Sequence, residues 1–220
     1  VPKSDWLALL ISYVYVFAII FVGEGLRKWR GYSSDFTRKV IHIGVGMWVF
    51  PTVALFEQWY FAIIPPLTFI VINYISYRQE VFKAMETGEK GQLGTVYFPI
   101  SFALLLWLFW SQPHMAVAGI MAMTWGDAFA SIIGLRWGRR KYQIFGRTRS
   151  LEGSAAMFAF SFASIMITLM AMTALGSPAS LLYAFVLAAF ATAVEALSPW
   201  GIDNLTVPIL SAGLLYLIGG

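Results

Sequence analysis

Four acidic positions carry the chemistry available to this chain. Asp127 lies inside a long apolar segment, Glu152 opens another, Glu195 closes a third, and Asp203-Asn204 opens a fourth. A charge within such a segment costs at least ~2.5 kcal/mol in a bilayer, so function is its default explanation. Basic and polar partners stand at comparable positions: Arg38, Lys39 and His42 early in the chain, and Arg147, Arg149 and Ser150 just before Glu152. Carboxylates of this kind suit Mg²⁺, which prefers oxygen ligands and bridges to substrate phosphates. Arg and Lys neutralise those phosphates. Together they are the parts that phosphoryl or nucleotidyl transfer requires.

Each position also has a plainer reading. Asp127 is consistent with a structural acid paired to a base at a helix end. Glu152 in a first turn is favoured by the helix dipole, with Ser150 as N-cap. Asp203 and Asn204 suit the start of a helix, and His42 suits a satisfied buried histidine. Glu195 has no such alternative.

Eight apolar segments of near-spanning length must position these groups, at about 5–23, 36–56, 59–77, 93–110, 115–135, 151–173, 179–198 and 203–219. A bilayer crossing takes about 20 residues. The expected fold is therefore all-α: a polytopic membrane protein of about eight transmembrane helices, forming a single domain over residues 1–220. The composition agrees, with 59% hydrophobic and only 12% charged residues, against about 25% charged in soluble domains. The first apolar run has no basic leader and no small-residue cleavage site, and reads as a membrane helix. In the fifth segment Gly126, Ala130, Gly134 and Gly138 recur every fourth residue. On a helix they make a smooth stripe beside Asp127 that admits a close neighbour, either another helix or a ligand.

The loops alternate in charge. All Lys and Arg except Lys3 fall after the first, third and fifth segments or at the start of the second. The positive-inside rule makes that side cytoplasmic and puts both termini on the non-cytoplasmic side. The same arrangement accounts for the net charge of +4 without nucleic acid. Asp127, Glu152, Glu195 and Asp203 all belong to the cytoplasmic half. The chain has no cysteine, which excludes disulfides and thiolate chemistry. Phosphate loops of the GxxxxGK[ST] type, GxGxxG and HExxH are missing. The acids crowd one surface and no repeat is visible, which disfavours a transporter.

The motifs resemble a known family. Arg38-Lys39-Val40-Ile41-His42 is similar to RKxxH, and Gly94-Thr95-Val96-Tyr97-Phe98-Pro99 to a second block. Gly126-Asp127-Ala128-Phe129-Ala130 with Gly134 and Gly138, then Gly146-Arg147-Thr148-Arg149-Ser150-Leu151-Glu152-Gly153-Ser154, resembles GDxxAxxxGxxxG followed by GxxKSxEGS. Glu195 with Asp203-Asn204-Leu205-Thr206-Val207-Pro208 resembles E…DNLxxP. In this order the blocks resemble the CTP-dependent polyprenol kinases, which include phytol, dolichol and farnesol kinases. Arg149 stands where that family often has Lys, and the two are not interchangeable at a phosphate.

The resemblance implies transfer of the γ-phosphate of CTP to an isoprenoid alcohol, with Mg²⁺ as cofactor. It implies Asp127 as metal ligand or base and Glu152 as a second acidic ligand or orienting group. Arg147 and Arg149 would hold phosphates. Arg38, Lys39 and His42 would line the nucleotide side, with Gly126, Gly134 and Ser150 beside it. Glu195, Asp203 and Asn204 would complete the pocket, Glu195 and Asp203 as further metal ligands. The expected setting is a bacterial inner membrane or a plastid or thylakoid membrane, with the site on the cytoplasmic side; a homodimer is compatible with it. The rival within the same chemistry is a membrane cytidylyltransferase acting on a phospholipid.

Overall fold

A computed structural model describes residues 4–85 and 91–219. Lys3 and Lys90, which entered the charge pattern above, lie outside the described residues. The helices are α1 (Asp5–Arg30), α2 (Ser34–Met47), α3 (Val49–Leu55), α4 (Trp59–Ala62), α5 (Ile64–Gln79), α6 (Gly94–Leu108), α7 (Pro113–Trp137), α8 (Leu151–Met172), α9 (Ser177–Leu197) and α10 (Asp203–Gly219). One antiparallel hairpin, β1 (Lys141–Ile144) and β2 (Arg147–Ser150), interrupts the helical chain.

Proline explains most of the breaks. Pro51 cannot donate to the carbonyl four residues back, and the expected second segment divides at Trp48 into α2 and α3. Pro65 and Pro66 likewise divide the third at Ile63. In α6, Pro99 leaves the Thr95 carbonyl without its helical donor; Asn73 Nδ2 of α5 donates to that oxygen instead, at 2.7 Å. Residues 24–30, expected as a loop, continue α1 until Gly31 caps it at φ +69°. Arg27, Lys28 and Arg30 therefore lie in the last turns of a helix, where cations complement the dipole.

Among the described residues, five helices are long and apolar enough to cross a membrane: α1, α4–α5 together, α7, α8 and α9. α6 and α10 are shorter apolar helices of 15 and 17 residues. At ~1.5 Å per residue these two reach roughly 22–26 Å, short of a ~30 Å hydrocarbon core.

α7 is the central helix, packed against α2, α8 and α10. Its small residues set these contacts. A Cβ on Gly126 would lie 2.2 Å from Ser161 Oγ and 2.6 Å from Met157 Sδ of α8. Ser161 and Ser164 donate to the Ala122 and Met121 carbonyls at 2.8 and 3.1 Å, fixing the same interface. The helix that the stripe admits is thus α8. On the other side a Cβ on Gly46 of α2 would lie 2.1 Å from Thr124 Oγ1. That approach brings the next turns of α2 within reach of Asp127.

Candidate active site

Two cavities meet at one end of the bundle. The wider, of about 590 Å³, is polar and is lined by the starts of α2, α6, α8 and α10, the C-terminal half of α7, the hairpin and the end of α9. The narrower, of about 100 Å³, runs between α1, α2, α5 and α6 and is walled by apolar side chains such as Ile20, Val45, Trp48, Phe69, Phe98 and Phe102. Arg38, Lys39, Met85, Gly94, Thr95, Asp127 and Asn204 line both.

At the junction, Lys39 Nζ of α2 donates to Asp127 Oδ2 of α7 at 2.5 Å. Both residues are buried, at 5% and 8% exposure. His42, one turn along α2, places Nε2 3.9 Å from the same carboxylate oxygen and 3.4 Å from the Met123 carbonyl. Its ring rests against Phe98, with centroids 4.3 Å apart. His42 therefore lines the apolar cleft and not the polar cavity.

A second charge cluster forms the opposite wall. Arg149 of β2 donates to the Glu195 carboxylate, to the Glu195 carbonyl at 2.9 Å and to the Ser198 carbonyl at 3.0 Å. Its NH2 lies 3.8 Å from Asp203 Oδ2. The planar guanidinium suits this task because it divides its donors among acceptors in one fork. Asp203 Oδ1 accepts from the Asn204 backbone at 3.0 Å and from Asn204 Nδ2 at 3.1 Å. Arg38 Nε, Thr95 Oγ1 and Arg149 Nε are buried without a hydrogen-bond partner. Buried donors in this state favour an oxygen-rich ligand, since leaving one unpaired costs ~1–3 kcal/mol.

The other expected residues divide. Gly134, Arg147 and Ser150 line the polar cavity. Ser150 is also the N-cap of α8, its Oγ accepting from Gly153 N at 3.1 Å. Gly126 faces α8. Glu152 stands apart: its carboxylate accepts from the backbone N–H groups of Arg139 and Arg140 at 3.1–3.2 Å. That ties the start of α8 to the start of the hairpin. Gln92, Lys141 and Trp200 line the polar cavity without having been singled out. Trp200 has φ +59°, a conformation that costs roughly 1–2 kcal/mol for a residue with a Cβ. The sequence signal for it is an aromatic next to a glycine, Trp200-Gly201, in a short loop between two apolar segments.

Oxygen donors for a divalent cation are present, but among the described residues no three acids or histidines converge on one point. Asp127 and Asp203 line the same cavity. This fits the Mg²⁺ pattern of one or two carboxylates completed by substrate phosphates, not a closed protein cage.

A relative decides the family. The phytol kinase of Synechocystis sp. is 33% identical over 209 residues, covering 94% of this chain and 89% of the relative. The chain belongs to the CTP-dependent polyprenol kinase family. Two further relatives are less similar. A probable chloroplastic phytol kinase of Triticum aestivum is 26% identical, covering 97% of this chain and 77% of the relative. A CTP-dependent diacylglycerol kinase of Schizosaccharomyces pombe is 29% identical over 154 residues, 64% of this chain and 68% of the relative. No family model matches the chain. No solved structure matches it either.

Proposed function

We propose that this protein is a membrane lipid kinase that transfers the γ-phosphate of CTP to an isoprenoid alcohol, giving a prenyl monophosphate and CDP. One observation carries the reading: a wide polar cavity and a narrow apolar cleft share a wall at Lys39 and Asp127. A polyphosphate nucleotide suits the first. The second follows α2 and α3 from Arg38 to Thr52, roughly 20 Å at the helical rise and more than half the hydrocarbon core. A prenyl tail lying there brings its hydroxyl to the junction.

The groups at the junction then have separate tasks. Arg38 and Lys39 hold the γ-phosphate as negative charge spreads over its oxygens. Arg147 and Arg149 hold the rest of the phosphate chain. Asp127 accepts the proton of the prenol hydroxyl. That oxygen forms the new bond to the γ-phosphorus, the bond from γ-phosphorus to the bridging oxygen breaks, and CDP leaves with the electron pair. Asp203, with Asp127 and the phosphates, would hold Mg²⁺, which when bound neutralises phosphate charge. His42 and Phe98 orient the first carbons of the tail. The apolar wall keeps water from competing with the alcohol.

We count the five spanning helices, the broken pair α2–α3 and the shorter α6 and α10 as eight crossings; the charge pattern favours non-cytoplasmic termini and a polar cavity facing the cytoplasm. The names of the relatives favour a cyanobacterial or plastid membrane. The test uses purified protein in vesicles, with CTP labelled at the γ- or the α-phosphate and a panel of prenols. Label on the lipid from γ alone is expected. Label from α indicates cytidylyl transfer, and no lipid label across the panel refutes the reading.

A further inference from the structure

The loop from α9 to α10 carries an aromatic side chain where its geometry favours asparagine or glycine. Ile202 N donates to the Pro199 carbonyl at 3.1 Å. The two residues between them, Trp200 and Gly201, both have positive φ, +59° and +80°. Turns with two such residues are dominated by Gly, Asn and Asp, because a Cβ is crowded there. A bulky residue held in that state points to a use for its side chain.

The loop is held from three sides. Arg149 donates to the Ser198 carbonyl, Asn204 Nδ2 donates to the Gly201 carbonyl at 3.3 Å, and Gly201 abuts the backbone of Gly94. The indole is thus presented on a fixed base. It lines the polar cavity, yet it is 53% exposed. From β2, the Arg147 guanidinium lies over its ring, 5.2 Å from the centroid. Arg147, Arg149, Arg38 and Lys39 all line this cavity, with Arg147 at the ring and Lys39 at the junction with Asp127. A ligand whose phosphates reach from Lys39 to Arg147 has its far end at Trp200, and the far end of a nucleoside triphosphate is a planar heterocycle.

We propose that Trp200 is the platform on which the nucleobase stacks, with Arg147 bridging the indole and the phosphates. This rests on the proposed function for its ligand and adds to it the residue that binds the base. Stacking is indifferent to base identity, because every base has a π-face. Trp200 therefore supplies affinity for a nucleotide, and the choice of cytosine is made by other groups.

The experiment compares wild type, Trp200→Ala and Trp200→Phe, each as full chain in detergent micelles. Calorimetry reads binding of Mg-CTP and Mg-UTP, and displacement of Mg-CTP by inorganic tripolyphosphate, which has no base. Steady-state kinetics read KM for CTP and for prenol. For Trp200→Ala, CTP and UTP affinity should each fall by about 5- to 150-fold. The tripolyphosphate constant and KM for prenol should stay within twofold, and Trp200→Phe should recover most of the loss. Unchanged CTP affinity overturns the proposal. So does an equal loss for CTP and tripolyphosphate, which would make Trp200 a support for the loop or a membrane-interface anchor. Binding is read without turnover, so a wild type that binds CTP through Trp200 but phosphorylates no prenol refutes the kinase reading alone. A wild type that binds no nucleotide refutes both.

Discussion

Replacing Lys39 with Met tests the junction most directly. The substitution keeps an unbranched side chain one atom shorter and removes its charge, leaving Asp127 buried at 8% exposure without its 2.5 Å partner. Breaking a buried pair in this way costs about 3–5 kcal/mol. A chain of this size shifts its thermal midpoint by roughly 2–4 °C per kcal/mol, so Lys39→Met should melt roughly 6–20 °C lower. The double variant Lys39→Met/Asp127→Asn removes both charges. It should recover most of that loss, because replacing a whole buried pair is often neutral. Activity should not follow stability. Asp127→Asn alone should lose about 10²- to 10⁴-fold in kcat, the usual contribution of a positioned base. The double variant should stay inactive even where it is folded. The assay is a fluorescence-detected melt in detergent alongside lipid phosphorylation from γ-labelled CTP. An unchanged midpoint in Lys39→Met refutes the energetic argument. A double variant that phosphorylates prenol at near wild-type rate refutes the proton-acceptor role of Asp127.

Other substitutions separate the remaining roles. Glu152→Gln keeps an acceptor for the Arg139 and Arg140 N–H groups and should retain activity within a few-fold, whereas Glu152→Ala should lower the melting midpoint; a large kcat loss in the Gln variant would return Glu152 to the chemistry. Ala62→Leu fills the far part of the apolar cleft. It should raise KM for a long prenol about tenfold, the low end of what one misfitted group is worth, with KM for CTP unchanged in the same assay. Arg149→Lys keeps the charge and loses the fork to Glu195 and Ser198. It should destabilise by about 1.5–3 kcal/mol, the worth of a hydrogen bond to a charged group, read as a lower denaturation midpoint.

Much of the helical framework follows from apolar run length alone, because a segment such as 151–173 has no other way to satisfy its backbone in a bilayer. The gathering of acids and bases at one end also follows, since Arg38, Asp127, Glu195 and Asp203 lie toward the same-side ends of the second, fifth, seventh and eighth segments. Sequence position specifies height along a helix but not rotation about it. Glu152 and Ser150 are two residues apart, yet one faces the hairpin backbone and the other the cavity. Lys39 and Asp127 are 88 residues apart, and their pairing depends on Gly46 meeting Thr124, a contact between helices that no local pattern encodes. The hairpin is not legible in the sequence because its strands have four residues each and little apolar alternation. Its turn, Phe145-Gly146, uses positive φ at both residues (+47° and +73°) without the usual Asn or Asp.

The contact between Gly94 and Gly201 has a thermodynamic consequence. A Cβ on Gly201 would sit 2.8 Å from Gly94 N, so no side chain lies between the loop and the first turn of α6 to absorb a displacement. Gly94 and Thr95 line both cavities, and Phe98 in the next turn walls the cleft. A nucleotide that shifts the loop must therefore shift the wall against which the lipid lies. Coupling of this kind is reciprocal: whatever factor CTP applies to prenol affinity, prenol applies to CTP affinity. Equilibrium titrations of each ligand in the presence and absence of the other should return the same factor from both directions.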